Sequence, residues 1–404
     1  MNILYYCVVY HNKSLGPTTH GREFFAALHQ QAEVDCCRVI PPAENSPDVG
    51  RTHVDQEQAT LMRRLARALI PKWLRELLLF FLFPKKSAYN LIQGELEAGE
   101  WDALVMRPEW DLAWVPKLKK KFPHLCIALE INAAGVDERF QNIPFIALWK
   151  RLEVRMMNSA DLLFPVSQYL KEYLIDFGAD AKRIHVNPNG VNLSRFDPEQ
   201  FSAEDRKTVR AALNIPEKTL VFGYVGGMQT FRRIPDMVEG FSEFLEESRI
   251  DAWLIVVGDG KDMPQIQAVH ARLPVEHRGR ILFTGAKPYD SIPRIMAAFD
   301  VGIFPYSNPY GSPQKLFEYM AMGLPVIGPK VPVVEETFRH EQHILLTAQE
   351  GHSDLKKYLL YCAKNFHSLS AMAKEGRKHV IQNFTWDANA QRVAGRIQEC
   401  LKSG

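Results

Sequence analysis

A lysine occupies the predicted first turn of a helix in the stretch YGSPQKLFEYMAMGLPVIGPK, residues 310–330. Ser312 is a preferred N-cap residue and Pro313 is favoured at the first helical position, so we expect the helix to begin there. Gly323 predicts its end. Lys315 brings positive charge to a helix terminus that is itself partly positive, which is unfavourable unless an anion lies there. The stretch therefore predicts either a phosphate site or a solvated lysine on a surface turn.

An anion at this helix would meet several hydrogen-bond donors. The backbone N–H groups of Gln314, Lys315 and Leu316 are expected to be free, and the ammonium of Lys315 would add a full charge. Glu318 lies three residues after Lys315, on the same side of the helix. Its carboxylate can accept two hydrogen bonds from a vicinal diol such as a ribose, or it can pair with Lys315 at spacing i,i+3.

A second candidate phosphate site is the stretch YVGGMQTFRRIPDM, residues 224–237. Gly226 and Gly227 follow an apolar run and would let backbone approach a ligand. Arg232 and Arg233 precede a predicted helix, and arginine can bind phosphate through two parallel hydrogen bonds. The glycine spacing is not G-x-G-x-x-G, so a dinucleotide-binding fingerprint is absent.

The N-terminal half contains a comparable loop and two histidines. The stretch SLGPTTHGREFF, residues 14–25, follows the first apolar run, and Gly16 in it is placed to lie over a phosphate or a sugar. His11 and His20 fall in the same region of the predicted topology. We interpret both histidines as structural.

The stretch MRPEWDLAW, residues 106–114, offers a different chemistry. Trp110 suits stacking against a sugar ring, and Arg107 with Glu109 suits hydrogen bonding to hydroxyl groups. The alternative is a buried tryptophan beside a structural ion pair. The sequence leaves both interpretations open.

Short apolar runs must position these residues, and they recur along the whole chain. They are near-continuous, not alternating, which is typical of parallel strands buried on both faces. The runs are residues 3–10, 34–40, 103–107, 125–132, 162–167, 184–188, 220–226, 253–260, 281–285, 301–306 and 325–328. Amphipathic helical patterns lie between them, at residues 21–31, 152–160, 234–247 and 291–300. This alternation predicts an α/β protein with parallel sheets.

A polar, turn-rich segment at residues 189–217 separates two series of strands and predicts a hinge. We therefore expect two Rossmann-like domains whose parallel sheets face a central cleft. The predicted domains are residues 1–192 and residues 193–386. Residues 387–404 form an amphipathic helix at the end of the chain.

One region, residues 61–90, departs from this alternation because it is basic at both ends and apolar in the middle. Its unbroken apolar run, residues 77–83, is too short to span a bilayer. It predicts either a pair of buried helices or an interfacial segment. In the second case the basic side chains of 63–86 would face anionic lipid head groups while Trp73 and nearby phenylalanines enter the membrane.

Composition bounds the remaining possibilities. The chain has 404 residues, 46% apolar and 24% charged, with a formal net charge of +2. This balance is typical of a soluble protein of two domains and gives no reason to expect nucleic acid as a partner. Six cysteines without a C-x-x-C pair, and an N-terminus that reads as a strand, predict a cytoplasmic protein. No His, Cys or carboxylate spacing predicts a metal site, so we expect no cofactor.

Several segments, in order and spacing, resemble the retaining glycosyltransferases of family 4, which have the GT-B fold. The resemblance covers essentially the whole chain and is most specific at SPQKLFEYMAMGLPVIG, residues 312–328. Residues 166–198, with the Pro-Asn-Gly-Val run at 188–191, are similar to the segment that precedes the family's hinge. Residues 220–241 and 253–260 also match.

The resemblance implies transfer of a sugar from a UDP- or GDP-sugar, with retention of the anomeric configuration. Glu318 matches the second glutamate of the family's Glu-x7-Glu pair, which contacts the nucleotide ribose. Arg232 matches a basic residue that contacts the diphosphate. A second family arginine is often found where this chain has Gly227, so Lys315 or Arg233 would supply that charge. Leaving-group stabilisation by such cations is mainly electrostatic, and such enzymes usually need no metal.

Three further positions follow from the resemblance. Tyr310 stands where the family has the first glutamate of the pair, which usually touches the donor sugar. Asn132, or nearby Glu130, stands where many members have a histidine near the transferred sugar. Gly16 matches the glycine loop beneath the diphosphate. The donor site implied by the match also includes the residues Gly311, Ser312, Gln314 and Leu316.

The implied acceptor is a glycan or a lipid-linked molecule in polysaccharide, lipopolysaccharide or glycoconjugate synthesis, and a lipid-linked acceptor would place the protein at the inner face of the membrane. The resemblance further implies that residues 1–192 bind the acceptor, that residues 193–386 bind the nucleotide sugar, and that the final helix, residues 387–404, packs back onto the N-terminal domain. Two alternatives stay open. One is a sugar-nucleotide epimerase or a phosphorylase with the same fold. The other is a non-catalytic relative that acts as a binding partner, which stays open because Tyr310 and Gly227 depart from the residues that the family has at these positions.

Overall fold

A computed structural model describes residues 1–11, 16–41, 71–81, 86–108, 112–136, 140, 143–348 and 352–403. The chain divides into two compact units. Unit 1 comprises Met1–Pro188 with Asn389–Gly404, and unit 2 comprises Asn189–Ala388.

Each unit contains one sheet in which every pair of neighbouring strands is parallel. The strands of unit 1 are β1 (Asn2–Tyr6), β2 (Cys36–Ile40), β3 (Ala103–Met106), β4 (Cys126–Ile131) and β5 (Leu162–Pro165), in the order β2-β1-β3-β4-β5. Those of unit 2 are β6 (Leu220–Val225), β7 (Ala252–Val257), β8 (Ile281–Gly285), β9 (Val301–Ile303), β10 (Val326–Pro329) and β11 (Leu345–Thr347), in the order β11-β10-β9-β6-β7-β8.

Helices connect most of these strands. The helices before residue 188 are α1 (Gly16–His29), α2 (Lys72–Phe81), α3 (Lys86–Ala98), α4 (Val115–Lys121), α5 (Ile146–Met157) and α6 (Gln168–Asp176). Those that follow are α7 (Ala203–Ala212), α8 (Ile234–Ser248), α9 (Met263–Arg272), α10 (Val275–Arg278), α11 (Ile292–Met296), α12 (Gln314–Ala321), α13 (Pro332–Glu335), α14 (Ser353–Asn365), α15 (Leu369–Asn383) and α16 (Trp386–Ser403).

The predicted α/β class with two parallel sheets is confirmed. Ten of the eleven predicted runs contain a strand, and the exception is 184–188, where only Ile184 bridges to Leu163. The backbone N–H groups of His185 and Asn187 donate to the carbonyls of Leu163 and Pro165 at 2.9 and 2.8 Å, but Pro165 has no N–H to return a bond, so the ladder stays incomplete. The prediction missed β11, a three-residue edge strand, because so short a run has no recognisable pattern.

The first run, predicted at 3–10, ends as a strand at Tyr6. A turn follows, in which the backbone N–H of Tyr10 donates to the carbonyl of Cys7 at 3.1 Å. The stretch 14–25, interpreted as a loop, is instead largely helical, because α1 begins at Gly16. The glycine assigned to a phosphate loop is thus the first residue of a helix.

Residues 61–70 and 82–85 of the region 61–90 lie outside the described residues, but α2 and the start of α3 fall within it. Leu77 and Phe81 of α2 are buried with Val136, Phe140 and Ile143 in a small apolar cluster. The burial of these two side chains agrees with the buried-helix interpretation of this region. Among the helices of the described ranges, none is long and apolar enough to cross a bilayer.

Candidate functional site

Each sheet has one place where the strand order reverses. In unit 1 the chain adds β2 on one side of β1 and then β3 on the other, and in unit 2 it adds β7 and β8 on one side of β6 before β9 is added on the other. Ligands of open parallel sheets bind at the carboxyl ends of the strands that flank such a reversal. The residues after β1 and β3, and those after β6 and β9, are therefore the structural candidates for a site.

In unit 2 the loop after β6 is packed backbone to backbone against the loop after β7. The N–H of Gly226 donates to the carbonyl of Val257 at 3.0 Å. A Cβ atom at Gly258, whose φ is +140°, would lie 1.9 Å from the carbonyl oxygen of Gly226, so only glycine fits there. Gly227, in contrast, has open space where a Cβ would be. The next loop along the sheet thus holds this loop in place, and Gly227 faces no described atom on its Cβ side.

Arg232 reaches from the β6 side to the segment that follows β9. Its Nη1 donates to Ser307 Oγ at 3.0 Å and to the carbonyl of Tyr306 at 3.3 Å, and its guanidinium lies 4.3 Å from the ring centroid of Phe304. Within the described ranges no carboxylate pairs with Arg232, and burial lowers the pKa of its guanidinium. The switch point of unit 2 therefore holds a partly desolvated cation that lacks an anionic partner.

The helix after β9 begins later than the sequence predicted. Pro313 precedes α12, which starts at Gln314, and Ser312 does not cap it. Instead, Ser312 Oγ accepts a hydrogen bond from the backbone N–H of Asn189 at 3.2 Å. Pro313 has no N–H to donate. The Ser312 hydroxyl accepts its hydrogen bond from Asn189 and not from an N–H group at the start of the helix. The prediction that Gly323 follows the helix is confirmed, since its φ is +71°.

The prediction of three free N–H groups at this terminus is wrong for two of them. The N–H of Gln314 donates to the carbonyl of Ser312 at 3.0 Å, and that of Leu316 donates to the carbonyl of Pro313 at 2.9 Å. The N–H of Lys315 has no acceptor in the part of the chain that the structure describes. One backbone donor is therefore available to an anion here, and the adjacent Lys315 ammonium is paired with Glu318.

Glu318 is fully buried and surrounded by donors. Lys315 Nζ donates to Oε2 at 2.5 Å, while Gln314 Nε2 and the Tyr289 hydroxyl donate to Oε1 at 3.0 and 3.1 Å. The i,i+3 pairing considered from the sequence is therefore present. A ribose that used both carboxylate oxygens would have to displace at least one of these donors.

Three other residues assigned to the donor site, Arg233, Tyr310 and Gly311, also belong to unit 2. Arg233 forms an ion pair with Asp236. The N–H of Gly311 donates to Asn308 Oδ1 at 2.7 Å, and Tyr310 is half-buried beside it. Because Asp236 already pairs with Arg233, Arg233 supplies less free charge than Arg232.

The switch point of unit 1 holds a second cluster of charged and polar side chains. Glu130 Oε2 accepts a hydrogen bond from the Tyr5 hydroxyl at 2.9 Å, and Oε1 lies 3.0 Å from Nε2 of His20 on α1. Both partners are buried. Burial raises the pKa of Glu130, but His20, the Arg107 guanidinium and the Tyr5 hydroxyl together lower it below its ordinary range. Glu130 is therefore held as a buried carboxylate.

Two buried donors that follow β3 and β4 lack acceptors in the part of the chain that the structure describes. Arg107 Nη1 and Asn132 Nδ2 have no hydrogen-bond partner among the residues that the structure describes. Arg107 follows β3 and Asn132 follows β4, the neighbouring strand. Since buried donors in proteins are normally satisfied, this pair indicates a place for ligand or solvent oxygens. Glu109 and Trp110, the other proposed acceptor residues, lie outside the described residues.

The sequence analysis gave no role to one contributor and did not foresee the partner of another. Tyr289 received no role, although it follows β8 and therefore lies at the carboxyl edge of the same sheet. His20, interpreted as structural, is buried, and its Nε2 lies 3.0 Å from Oε1 of Glu130, a partner that the sequence did not indicate. Position after a strand could have flagged Tyr289, whereas nothing local to His20 indicates a partner 110 residues away.

In the described ranges, no three His, Cys, Asp or Glu side chains come together in a way that could hold an ion. The six cysteines are all free thiols.

Two sequence families match this chain. The family described as Glycosyl transferases group 1 matches residues 219–365, and the one described as Glycosyltransferase Family 4 matches residues 135–195. Among curated relatives, the D-inositol 3-phosphate glycosyltransferase of Corynebacterium jeikeium is 22% identical over 336 residues, which cover 81% of this chain and 76% of the relative.

Solved structures support the same fold. The HepE protein of Anabaena, in complex with UDP-glucose, superposes with a TM-score of 0.73 at 16% identity, over 99% of this chain and 100% of that one. The sucrose-phosphate synthase of Thermosynechococcus elongatus gives a TM-score of 0.74 at 18% identity, over the whole of both chains. Two Rossmann-like units of the GT-B type are therefore shown.

Proposed function

We propose that this chain transfers a sugar from a UDP- or GDP-sugar with retention of the anomeric configuration. The proposal starts from its family, because the chain belongs to the family 4 glycosyltransferases with the GT-B fold, which act in glycan synthesis. The acceptor is a glycan or a lipid-linked molecule in the synthesis of a polysaccharide, a lipopolysaccharide or another glycoconjugate. The structure of the HepE protein with UDP-glucose supports a nucleotide sugar as the donor.

The observation that carries this proposal is the state of Arg232. It is a desolvated guanidinium, stacked on Phe304, without a described carboxylate partner, at the switch point of unit 2. A diphosphate would supply the missing negative charge through charge-assisted hydrogen bonds. As the sugar leaves, negative charge grows on the diphosphate, and a preorganised cation stabilises that charge most in the transition state.

Lys315 and Glu318 would act together in this site. Without nucleotide, the Lys315 ammonium neutralises the buried Glu318 carboxylate. A diphosphate at the start of α12 would compete for the ammonium and attract it away from Oε2. The freed carboxylate oxygen could then accept a hydrogen bond from a ribose hydroxyl. In this proposal the ion pair is the resting state of the site and nucleotide binding exchanges its partners.

The proposed reaction breaks the bond between the anomeric carbon and the diphosphate oxygen and forms a bond from the acceptor oxygen on the same face. The departing diphosphate oxygen takes the acceptor's proton, so no protein side chain has to act as general base. Asn132, with its free Nδ2 donor, is proposed to position the transferred sugar. The Arg232 and Lys315 cations take the role that a metal would have, and we expect activity to be unchanged by EDTA.

On the acceptor side, we propose that Arg107 binds hydroxyl or phosphate oxygens, since its Nη1 is buried without an acceptor in the described structure. Glu109 and Trp110 are proposed to join it. For a lipid-linked acceptor, residues 63–86 are proposed to contact the inner face of the membrane. Binding of the wild type to anionic vesicles, compared with a variant in which the basic residues of 63–86 are reversed to glutamate, tests this. Equal binding would rule out the membrane contact.

The decisive experiment is a panel of UDP- and GDP-sugars, beginning with UDP-glucose. One nucleotide should raise the thermal midpoint of the purified protein, and its sugar form should be hydrolysed slowly without acceptor. Binding without turnover of any sugar would favour the non-catalytic alternative. The proposal would be overturned if no member of the panel raised the thermal midpoint and none was turned over.

A further inference from the structure

Unit 1 contains a cavity of about 560 Å³ that the proposed transfer reaction does not use. It lies beside β5, the edge strand of the sheet, three positions away from β1. Its walls come from β5, α6, the extended segment 184–187 and α16. The volume falls within the range of sites that hold small metabolites.

Positive charge predominates in this cavity. Four basic side chains line it, Lys171, His185, Arg392 and Arg396, against a single acidic one, Glu399. Arg396 Nη1 donates to Glu399 Oε2 at 2.7 Å, so the one carboxylate that lines the cavity among the described residues is already engaged. Neither Lys171 nor Arg392 has a carboxylate partner within the ranges described. At least two full positive charges therefore face the cavity without compensation.

Arg392 is held in place by one of its nitrogens and left unsatisfied at another. Its Nε donates to Asn187 Oδ1 at 2.8 Å, which fixes the guanidinium against the segment 184–187. Its Nη2 is buried and has no hydrogen-bond acceptor in the described part of the chain. A buried donor without an acceptor is costly, and a guanidinium in a fixed orientation is suited to a planar pair of oxygens. A ligand oxygen at Nη2 would relieve this cost.

The same excess of positive charge affects the pKa of His185. Burial lowers the pKa of its imidazole, and the neighbouring Arg396 and Lys171 lower it further, although Glu399 acts in the opposite direction. The ring is tilted against Phe164 with centroids 6.0 Å apart, so one wall of the cavity is aromatic. An apolar wall beside cations suits an anion that carries a small organic body.

We propose that this cavity binds a small phosphomonoester, whose phosphate is held by Arg392 Nη2 and Lys171 Nζ. A dianion matches the two uncompensated charges, and its ester group would lie toward Phe164. Because Arg392 belongs to α16 and Lys171 to α6, the ligand would join two elements of unit 1 that are 221 positions apart in the chain (392 minus 171). This site is separate from the diphosphate site proposed in unit 2.

Hydrogen exchange with and without inorganic phosphate tests the site, because peptide-level protection separates it from the donor site. We expect phosphate to protect residues 184–187 and 389–399 in the wild type. Lys171→Met removes a charge that has no described partner, so it should fold normally and need at least about tenfold more phosphate for half-maximal protection. Lys120→Met, an equal charge change on the exposed end of α4, should behave as the wild type. Equal protection in wild type and Lys171→Met, or no protection at 100 mM phosphate, would overturn the proposal.

The source of the phosphate is decided by two further probes. Glycerol 3-phosphate tests a soluble ester, and vesicles containing phosphatidic acid test a lipid head group with the same phosphomonoester. Protection of 389–399 by either one, reduced in Lys171→Met, supports the site and identifies its ligand class. Protection confined to residues 314–321 would mean that phosphate binds only the donor site, and would overturn this inference while leaving the transferase proposal intact.

Discussion

Unit 1 and unit 2 each place a buried glutamate at the switch point of a parallel sheet, but the two glutamates find their partners at different distances along the chain. Glu318 receives hydrogen bonds from residues three and four positions earlier on α12 and from Tyr289, 29 positions earlier. Glu130 pairs with residues 125 and 110 positions earlier, Tyr5 and His20.

The difference concerns what each cluster can do. The Lys315 side chain is about one-fifth exposed and carries its ammonium on a stem of rotatable bonds, so we expect that it can leave Glu318 for a diphosphate. The partners of Glu130 are almost fully buried on α1 and β1 and cannot move without disturbing the core of unit 1. We therefore expect the unit 2 cluster to exchange partners on ligand binding and the unit 1 cluster to act as a rigid support for Arg107 and Asn132.

The largest expected effect is on the stability of unit 1. Glu130→Gln should reduce its free energy of unfolding by about 3–5 kcal/mol, because it leaves Arg107 and His20 without a buried counter-charge. Glu318→Gln should cost only about 1 kcal/mol in unit 2, because Lys315 can turn to solvent. Urea-dependent hydrogen exchange of β4 and β6 peptides measures the two units separately. Equal losses would mean that the clusters do not differ in rigidity.

Acid should weaken unit 1 through the same carboxylate. The pKa of Glu130 is lower in the folded protein than its ordinary value of 4.5, so its stabilisation is complete above that value and is lost as the pH falls through the lower folded pKa. The stability gap between wild type and Glu130→Gln should therefore narrow below about pH 4.5. A gap that widened with acid would contradict the assignment of an ionised Glu130.

Arg232→Ala should lower kcat/KM for the nucleotide sugar by about 10²-fold or more, through loss of a preorganised contact to the diphosphate. Lys315→Ala should have a comparable effect. Arg280→Ala removes an arginine that already pairs with Asp251, and it serves as the control. Wild-type activity in both Arg232→Ala and Lys315→Ala would show that the diphosphate lies elsewhere.

The role of Glu318 toward a ribose can be isolated with a modified nucleotide. Wild type should bind the 2′-deoxy form of the preferred nucleoside diphosphate about tenfold more weakly than the parent, the loss of one hydrogen bond to a charged group. In Glu318→Gln the two ligands should bind more nearly alike, as titration calorimetry would show. The same tenfold discrimination in the variant would remove Glu318 from the ribose site.

The smallest expected effect comes from restoring a charge at Gly227. This position has open space for a side chain, so Gly227→Arg should fold normally and bind the nucleoside diphosphate a few-fold more tightly. Gly258→Ala is the steric contrast, since a Cβ there would meet the carbonyl oxygen of Gly226 and displace the loop. Weaker binding by Gly227→Arg would mean that the loop does not face the diphosphate.

Much of the fold was predictable because strand and helix patterns are local. Near-continuous apolar runs indicated the parallel strands, and ten of them contain one. The Lys315–Glu318 pair was also foreseeable, since helix geometry puts residues three apart on one side. The start of α12 was not foreseeable, because Ser312 contacts Asn189 instead of capping the helix. The local sequence does not indicate such a competing tertiary contact.

By itself, then, the amino-acid sequence determined the α/β class, the glycine that follows α12 and the chemistry available near residues 310–330. Only the tertiary structure decided that Glu130 joins Tyr5 and His20, that Tyr289 reaches Glu318, and that Arg392 faces a cavity beside Lys171. The physical reason is the order of strands in each sheet. Side-chain periodicity specifies which face of an element is buried, whereas the crossovers decide which distant strand ends become neighbours.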